Sequence, residues 1–520
     1  MPARAPLRRR GGRPAPGRGG SPTIARLVAA RVLDRVESAR AYADLALHGA
    51  LRDERLTSRD RAFATELVFG TLRWRGRLDY ALATCTDRPL SELEPAILTL
   101  LRLGAYQLFF CDSVPPRAAV DESVRCAHAM GWARAAGLIN AVLRQLARRQ
   151  SASEARSEAE SSEPSEVTGA SEARSEPQAS EVKREERGRA ATGVSWPSLE
   201  REPLAHLVHA LSIPEWIARR WLEALGPAEA AALARASNET PPLSARVNTL
   251  VTTRELLLAE LATRWPSVKL AVHAPFALSL GHGVDPGSDP AFREGRFTVQ
   301  DEASQLVVAL LDPQPGERVL DLCAAPGSKT TAIAERVGAK GLVVACDRNQ
   351  RRLDLVGRAA RRLGLENIHL MHVDGSQPLE DLPAAPYARV LVDAPCSGLG
   401  TLRRNPDARW RVQPEDSVEL AALQRALLTN AARELMPGGT LVYSTCTLLP
   451  EENEAVIAAF LAKHADFSLL ARAAIPAPLR PFVEADGFMR TWPQRHGTDG
   501  FFAASLVRSE AKPSRRRGAR

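Results

Sequence analysis

The chain is poor in cysteine and has no long apolar run, and each absence narrows what it can be. No stretch approaches the roughly 18 apolar residues that a membrane helix needs, so no spanning segment is expected. Seven cysteines in 520 residues is a sparse and odd count. No signal-peptide pattern precedes them, so they read as free thiols in a reducing cytoplasm rather than as a disulfide framework. No acid occurs before Asp34. That faintly resembles a transit peptide, but the Gly and Pro content argues against the amphipathic helix such peptides form. Nothing suggests a metal site or a coiled coil, and a monomer is expected.

What is present points to a multidomain globular protein. A length of 520 residues implies about two to four domains, and 45% hydrophobic residues suffice for real cores. The net charge of +8 understates the basic character. Residues 151–182 hold eight Glu and two Arg, a local charge of −6, which leaves +14 on the rest. An excess of that size suits a polyanionic partner bound through counterion release. Arg-rich, Ala-rich composition gives the same excess without any such partner, so charge alone does not assign one.

The pattern along the chain divides it. Residues 1–20 carry six Arg among Gly and Pro and read as a disordered basic tail. Residues 21–150 keep helical stripes, such as Ile24, Leu27, Val28 and Leu98, Leu101, Ala105, Leu108, and read as one all-helical domain. Pro115-Pro116 marks a break between helices. Residues 151–198 repeat Ser-Glu-Ala-Arg-Ser-Glu at 153 and 171 and read as a disordered acidic linker. Residues 199–310 combine a helical stretch, starting in a capping box at Ser212-Ile-Pro-Glu215, with a small α/β unit holding strands near 243–248 and 297–300. From 311 to 508, strand-like runs alternate with helical ones: Arg318–Leu322, Gly341–Cys346, Ile368–Val373, Ala388–Val392, Thr440–Ser444 and Phe501–Val507. That alternation predicts a parallel, Rossmann-like sheet covered on both faces. Residues 509–520 form a second basic tail.

The first strand of that domain leads into Asp321-Leu-Cys-Ala-Ala-Pro-Gly-Ser-Lys329. Gly327 allows close backbone approach, and the following helix N-terminus supplies N–H donors. The order Gly-Ser-Lys-Thr is not a Walker loop. Asp347 follows the second strand, twenty residues after Gly327, where an acid would hold ribose hydroxyls. Asp374 follows the third strand, placed to reach an adenine amino group, and Asp393 follows the fourth. One acid at a strand end is often only a cap, but acids at successive strand ends beside a glycine loop mark a ligand rim. No phosphate-coordinating cluster follows. A nucleoside without phosphates therefore fits better than NAD or ATP, and S-adenosylmethionine is the natural candidate.

Two thiols fall on the same rim: Cys396 in Asp393-Ala-Pro-Cys-Ser-Gly and Cys446 in Tyr443-Ser-Thr-Cys-Thr. A buried structural role is the usual fate of a cysteine, and Cys323, Cys346, Cys85, Cys111 and Cys126 read that way. A pair of thiols over a nucleoside pocket suggests that one attacks while the other assists. Cytosine gives a reason for such a pair. Its C5 is a poor nucleophile until a thiolate adds at C6, and hydrogen bonding at N3, here from Asp393, assists that addition. A base must then remove the C5 proton so that the thiol can leave. Spacing does not say which cysteine does which.

At these residues the chain resembles the RNA 5-methylcytosine methyltransferases of the Sun (Fmu) type, and within them the bacterial enzymes acting on 16S ribosomal RNA. The resemblance rests on Phe297-Thr-Val-Gln-Asp-Glu-Ala-Ser-Gln305, the Cys323–Lys329 loop, Asp393–Gly398, Arg403-Arg-Asn-Pro-Asp407 and Ser444–Asn453, and it covers residues 21–150 and 200–508. The helical N-terminal part resembles the NusB RNA-binding domain. The resemblance implies Cys446 as nucleophile and Cys396 as the thiol of product release. It also implies that Cys323, Ala324, Ala325, Pro326, Gly327, Ser328 and Lys329, with Asp347, Asp374 and Asp393, bind S-adenosylmethionine. Lys329 would lie near cofactor and target, and Arg403, Arg404 and Trp410 in a loop facing RNA. The family loop usually ends Gly-Gly-Lys. Ser328 replaces the second Gly, which matters only if that position needs φ > 0. Two other readings stay open at this point: a transfer RNA methyltransferase, and a non-catalytic RNA-binding assembly factor. A DNA cytosine methyltransferase would use the Pro-Cys thiol as nucleophile instead.

Overall fold

A helix that is apolar on every side must be buried, and Pro95–Phe110 is buried at all but two of its 16 residues. Proline opens it, where the missing N–H has no intrahelical partner to lose. The one cation on this helix, Arg102, is answered by the bidentate carboxylate of Asp79 at 2.7 and 2.8 Å. Helices Ile24–Ala39, Pro116–Ala129 and Ala136–Ser161 pack around it. The computed structural model describes residues 22–52, 55–161 and 193–510, and these divide into two compact units. The unit built on Pro95–Phe110 comprises Met1–Thr71 and Leu78–Ser195, and no strand occurs among its described residues.

The expected linker does not begin at 151. Helix Ala136–Ser161 runs through the first Ser-Glu-Ala-Arg-Ser-Glu copy, whose Ala, Glu and Arg are good helix formers. The second copy, the basic tail over 1–20 and residues 511–520 lie outside the described residues.

The second unit, Leu72–Arg77 with Trp196–Arg520, holds both sheets. Its helix Glu215–Ala236 starts after Pro214 with no side-chain cap, so the Ser212 capping box expected there is not formed. Strands β1 (Leu243–Val247), β2 (Lys269–Leu270), β3 (Ala277–Gly281) and β4 (Phe297–Val299) pair antiparallel in the order β2-β3-β1-β4. Two of these, β2 and β3, were not expected.

The larger sheet contains β5 (Arg318–Asp321), β6 (Leu342–Asp347), β7 (Ile368–His372), β8 (Tyr387–Asp393), β9 (Leu435–Thr445), β10 (Phe467–Leu469), β11 (Met489–Thr491) and β12 (Phe501–Arg508). Its order is β10-β12-β9-β8-β5-β6-β7, with β11 beside β12. The run from β7 to β9 is parallel as expected, but β12 and β10 are antiparallel. The sheet is therefore mixed, with an antiparallel flank. Strand residues alternate between two cores, as a period of two requires. Val319, Val343, Leu391, Val442 and Ala503 join one core with helices Glu302–Leu311 and Ser328–Val337. Leu320, Val344, Val390, Leu441 and Phe502 join the other, with helices Asp416–Glu434 and Glu454–Leu461. Burial on both faces explains why these strands read as continuous apolar runs.

Candidate active site

Strand order brings the sequence-predicted residues to one rim. The chain runs β5-β6-β7, then crosses back to place β8 on the other side of β5. A ligand crevice opens where the order reverses in such sheets. Along that rim the strand ends read Asp374 after β7, Asp347 on β6, the Asp321 loop after β5, Asp393 on β8 and Cys446 after β9.

The loop after β5 turns on Gly327, whose φ of 107° no other side chain adopts without strain. A Cβ there would also stand 3.0 Å from Val356 Cα. Gly327 precedes helix Ser328–Val337, and Ser328 is not among the residues with positive φ. The Ser-for-Gly departure thus falls where side chains are tolerated. Arg246 on β1 anchors this helix, through Ser328 O at 2.6 Å, Thr331 Oγ1 at 3.0 Å and Glu335 Oε1 at 2.7 Å. Sequence reasoning had not singled it out.

The acids are differently engaged. Asp347 accepts the Asn349 N–H at 2.8 Å and the Ala325 N–H at 3.2 Å, which leaves lone pairs open on both oxygens. Asp374 is exposed and accepts the N–H and hydroxyl of Ser376, which hold its carboxyl below the usual range. Asp321 is buried, and burial pushes its pKa up to about 7. Thr330 donates to one of its oxygens at 2.7 Å, and the other has no partner. The loop's cation, Lys329, is committed to Asp393 Oδ2 at 2.8 Å. Ser444 donates to the second oxygen of Asp393, also at 2.8 Å. Open carboxylates and a neutralised lysine suit hydroxyl and amino groups better than a polyphosphate.

The thiols meet beside this ion pair. Cys396 Sγ and Cys446 Sγ lie 3.4 Å apart, and both residues are half-buried. The bond to Cys446, burial and the nearby Glu452 carboxylate hold the Cys396 thiol well above the usual range. Burial likewise raises Cys323 well above its usual value, and Cys346 and Cys126 to about 12. Glu452, Asn453 and Gln424 are buried around the two cysteine loops. The first two were seen only as the end of a motif, and Gln424 not at all.

The expected RNA-facing residues lie elsewhere. Arg403 is 4% exposed and donates to Gly497 O at 2.8 Å and Thr498 O at 3.1 Å. Arg404 bridges Asp301 at 2.8 Å and Asp499 at 2.9 Å. Trp410 is half-buried, its indole N–H given to a backbone carbonyl at 2.6 Å. All three bond within the protein; Arg403 is buried and does not face a ligand, whereas Arg404 and Trp410 keep part of their surface exposed. Among the described residues no group of side chains forms a metal site, and no helix is long and apolar enough to cross a membrane.

Comparison with known proteins gives three domain matches. Residues 308–507 match the family described as 16S rRNA methyltransferase RsmB/F. Residues 23–148 match the NusB family, and residues 213–285 the RsmF/B-like ferredoxin-like domain. Among relatives, the probable ribosomal RNA small subunit methyltransferase B of Bacillus subtilis is 35% identical over 93% of this chain and 98% of its own. The ribosomal RNA small subunit methyltransferase B of Pseudomonas putida is 33% identical over 94% and 99%. The crystal structure of PH0851 is 26% identical with a TM-score of 0.69, covering 94% of this chain and all of that one.

Proposed function

The chain belongs to the RsmB/F family of 16S ribosomal RNA methyltransferases, and from that premise we propose that it methylates C5 of a cytosine in 16S ribosomal RNA through a Cys446–C6 bond. The observation that carries this reading is the thiol pair, 3.4 Å apart beside the Lys329–Asp393 ion pair. S-adenosylmethionine supplies the electrophilic methyl group when bound. Gly327, the helix N-terminus at Ser328, Asp347 and Asp374 would hold it, the carboxylates taking ribose and adenine donors.

This chain's residues then divide the work. Cys446, as thiolate, adds to C6 of the base, while the Lys329–Asp393 pair supplies the proton or hydrogen bond at N3. The electron pair so released makes C5 nucleophilic. After methylation C5 loses its proton to a base, and the C6–S bond breaks to return the Cys446 thiolate. Cys396 supports that release. Its Sγ lies 3.4 Å from Cys446 Sγ, within reach of the departing sulfur. The order, with Cys446 attacking, follows from the family resemblance, since spacing alone left it open.

Substrate RNA labelled with tritium at C5 of cytosine tests the site of transfer. Methylation at C5 releases one tritium to water for each methyl group incorporated. Methyl incorporation without tritium release would overturn the C5 assignment.

A further inference from the structure

Two consecutive residues after β9 reach the segments that flank the two cysteines. Glu452 is fully buried, and its Oε2 accepts the Ser397 N–H at 3.0 Å. The same oxygen accepts Gln424 Nε2 at 2.9 Å, and that nitrogen also donates to Pro395 O at 2.9 Å. The peptide groups before and after Cys396 are thus tied to one carboxylate. Asn453 bridges the two residues that flank Cys446. Its Oδ1 accepts the Thr445 hydroxyl at 2.6 Å, and its Nδ2 donates to Thr447 O at 3.0 Å. A Ser397–Thr447 hydroxyl contact of 2.7 Å joins the two loops. The Tyr443 hydroxyl, donating to Glu452 O at 2.5 Å, pins the dipeptide to β9.

Asn453 is placed for a different task that it does not perform. It precedes helix Glu454–Leu461, where an Asn side chain ordinarily caps the first N–H groups. Here it makes no side-chain cap bond. Its backbone, at φ −116° and ψ −96°, lies outside the main allowed regions. Capping is forgone where the side chain serves the Cys446 loop.

We propose that Glu452 and Asn453 are positioning residues that set Cys396 and Cys446 in register, Glu452 through the releasing thiol and Asn453 through the attacking one. The register is independent of the substrate, whereas the division between release and attack rests on the cytosine-C5 reading.

The test uses the full-length enzyme and the variants Glu452→Gln, Asn453→Ala and the near-isosteric Thr445→Val, with folding checked by thermal melts. Diamide takes two electrons and two protons from a thiol pair in contact, and peptide mass spectrometry reads the Cys396–Cys446 disulfide. Closure should slow about 10- to 100-fold in Glu452→Gln and Asn453→Ala, since small misplacements between reacting atoms have effects of that size. Thr445→Val should slow it less. Wild-type closure rates in the folded variants would overturn the proposal, and if Asn453→Ala does not fold, Thr445→Val carries the Asn453 arm. With RNA and S-adenosylmethionine, Glu452→Gln should accumulate a protein–RNA adduct, while Asn453→Ala should form it slowly and not accumulate it. An equal loss of turnover in both, with no change in adduct fraction, would overturn the separate roles. Methyl transfer without any adduct on Cys396→Ala would instead sink the cytosine reading, leaving the diamide rates to judge the register.

Discussion

Along the sheet rim, β5, β6 and β7 present a backbone turn, a helix N-terminus and two carboxylates, whereas β8 and β9 present two thiols set in a web of buried side chains. The first half leans on its own loop and strand ends, with Arg246 as its most distant support. Gly327 shapes its own loop, and Asp347 accepts the N–H of Asn349 two residues on. The second half is assembled from distant residues. Cys396 meets Cys446 across 50 positions, and Gln424 and Glu452 reach Pro395 and Ser397. On the proposed reading, cofactor binding and covalent chemistry are separately built and joined at Lys329–Asp393. Each half should then fail without the other.

The largest expected effect lies in the thiol half. Cys446→Ser should lower turnover on the order of 10⁶-fold, as loss of a nucleophile does, with S-adenosylmethionine affinity by titration calorimetry unchanged. A parallel fall in affinity would show that the halves are not separable. Gly327→Ala strikes the other half. Strain at a φ of 107° and crowding against Val356 should cost about 1–3 kcal/mol. Cofactor affinity should fall while diamide closure of the two thiols keeps its rate, and a slowed closure would break the comparison. The smallest effect concerns Asp321. Its folded pKa is raised from 3.8 to about 7, so its contribution to stability is present below the unfolded value and lost as pH rises through about 7. Asp321→Asn cannot ionise. Its melting temperature should exceed that of the wild type above pH 7 and converge with it at acid pH. Parallel curves would contradict this.

The same contrast explains what could be read in advance. The Asp321–Lys329 loop and the acids after β6, β7 and β8 were legible because strand period, glycine and strand end are local signals. Six of the eight strands in the larger sheet followed from apolar runs, whereas the three-residue β10 and β11 did not, nor did the antiparallel sense of β12, since a run carries no direction. Strand β3 is buried at every residue and shows no alternation to find. Arg403 and Arg404 were assigned to RNA through the family resemblance of their loop, not through a local signal. Their partners, Asp301, Asp499 and the carbonyls of Gly497 and Thr498, lie about a hundred positions away. Glu452 and Asn453 stood in plain view beside Ser-Thr-Cys. Their roles depend on which backbone groups the fold brings to them, and that is a tertiary fact.

The assignment of Cys446 to attack and Cys396 to release is the claim on which the chemistry turns. Cys396→Ala enzyme, incubated with unmethylated 16S ribosomal RNA and S-adenosylmethionine and then digested, should yield an RNA-linked peptide containing Cys446. An RNA-linked peptide containing Cys396 from the Cys446→Ser enzyme, with none from Cys396→Ala, would contradict it.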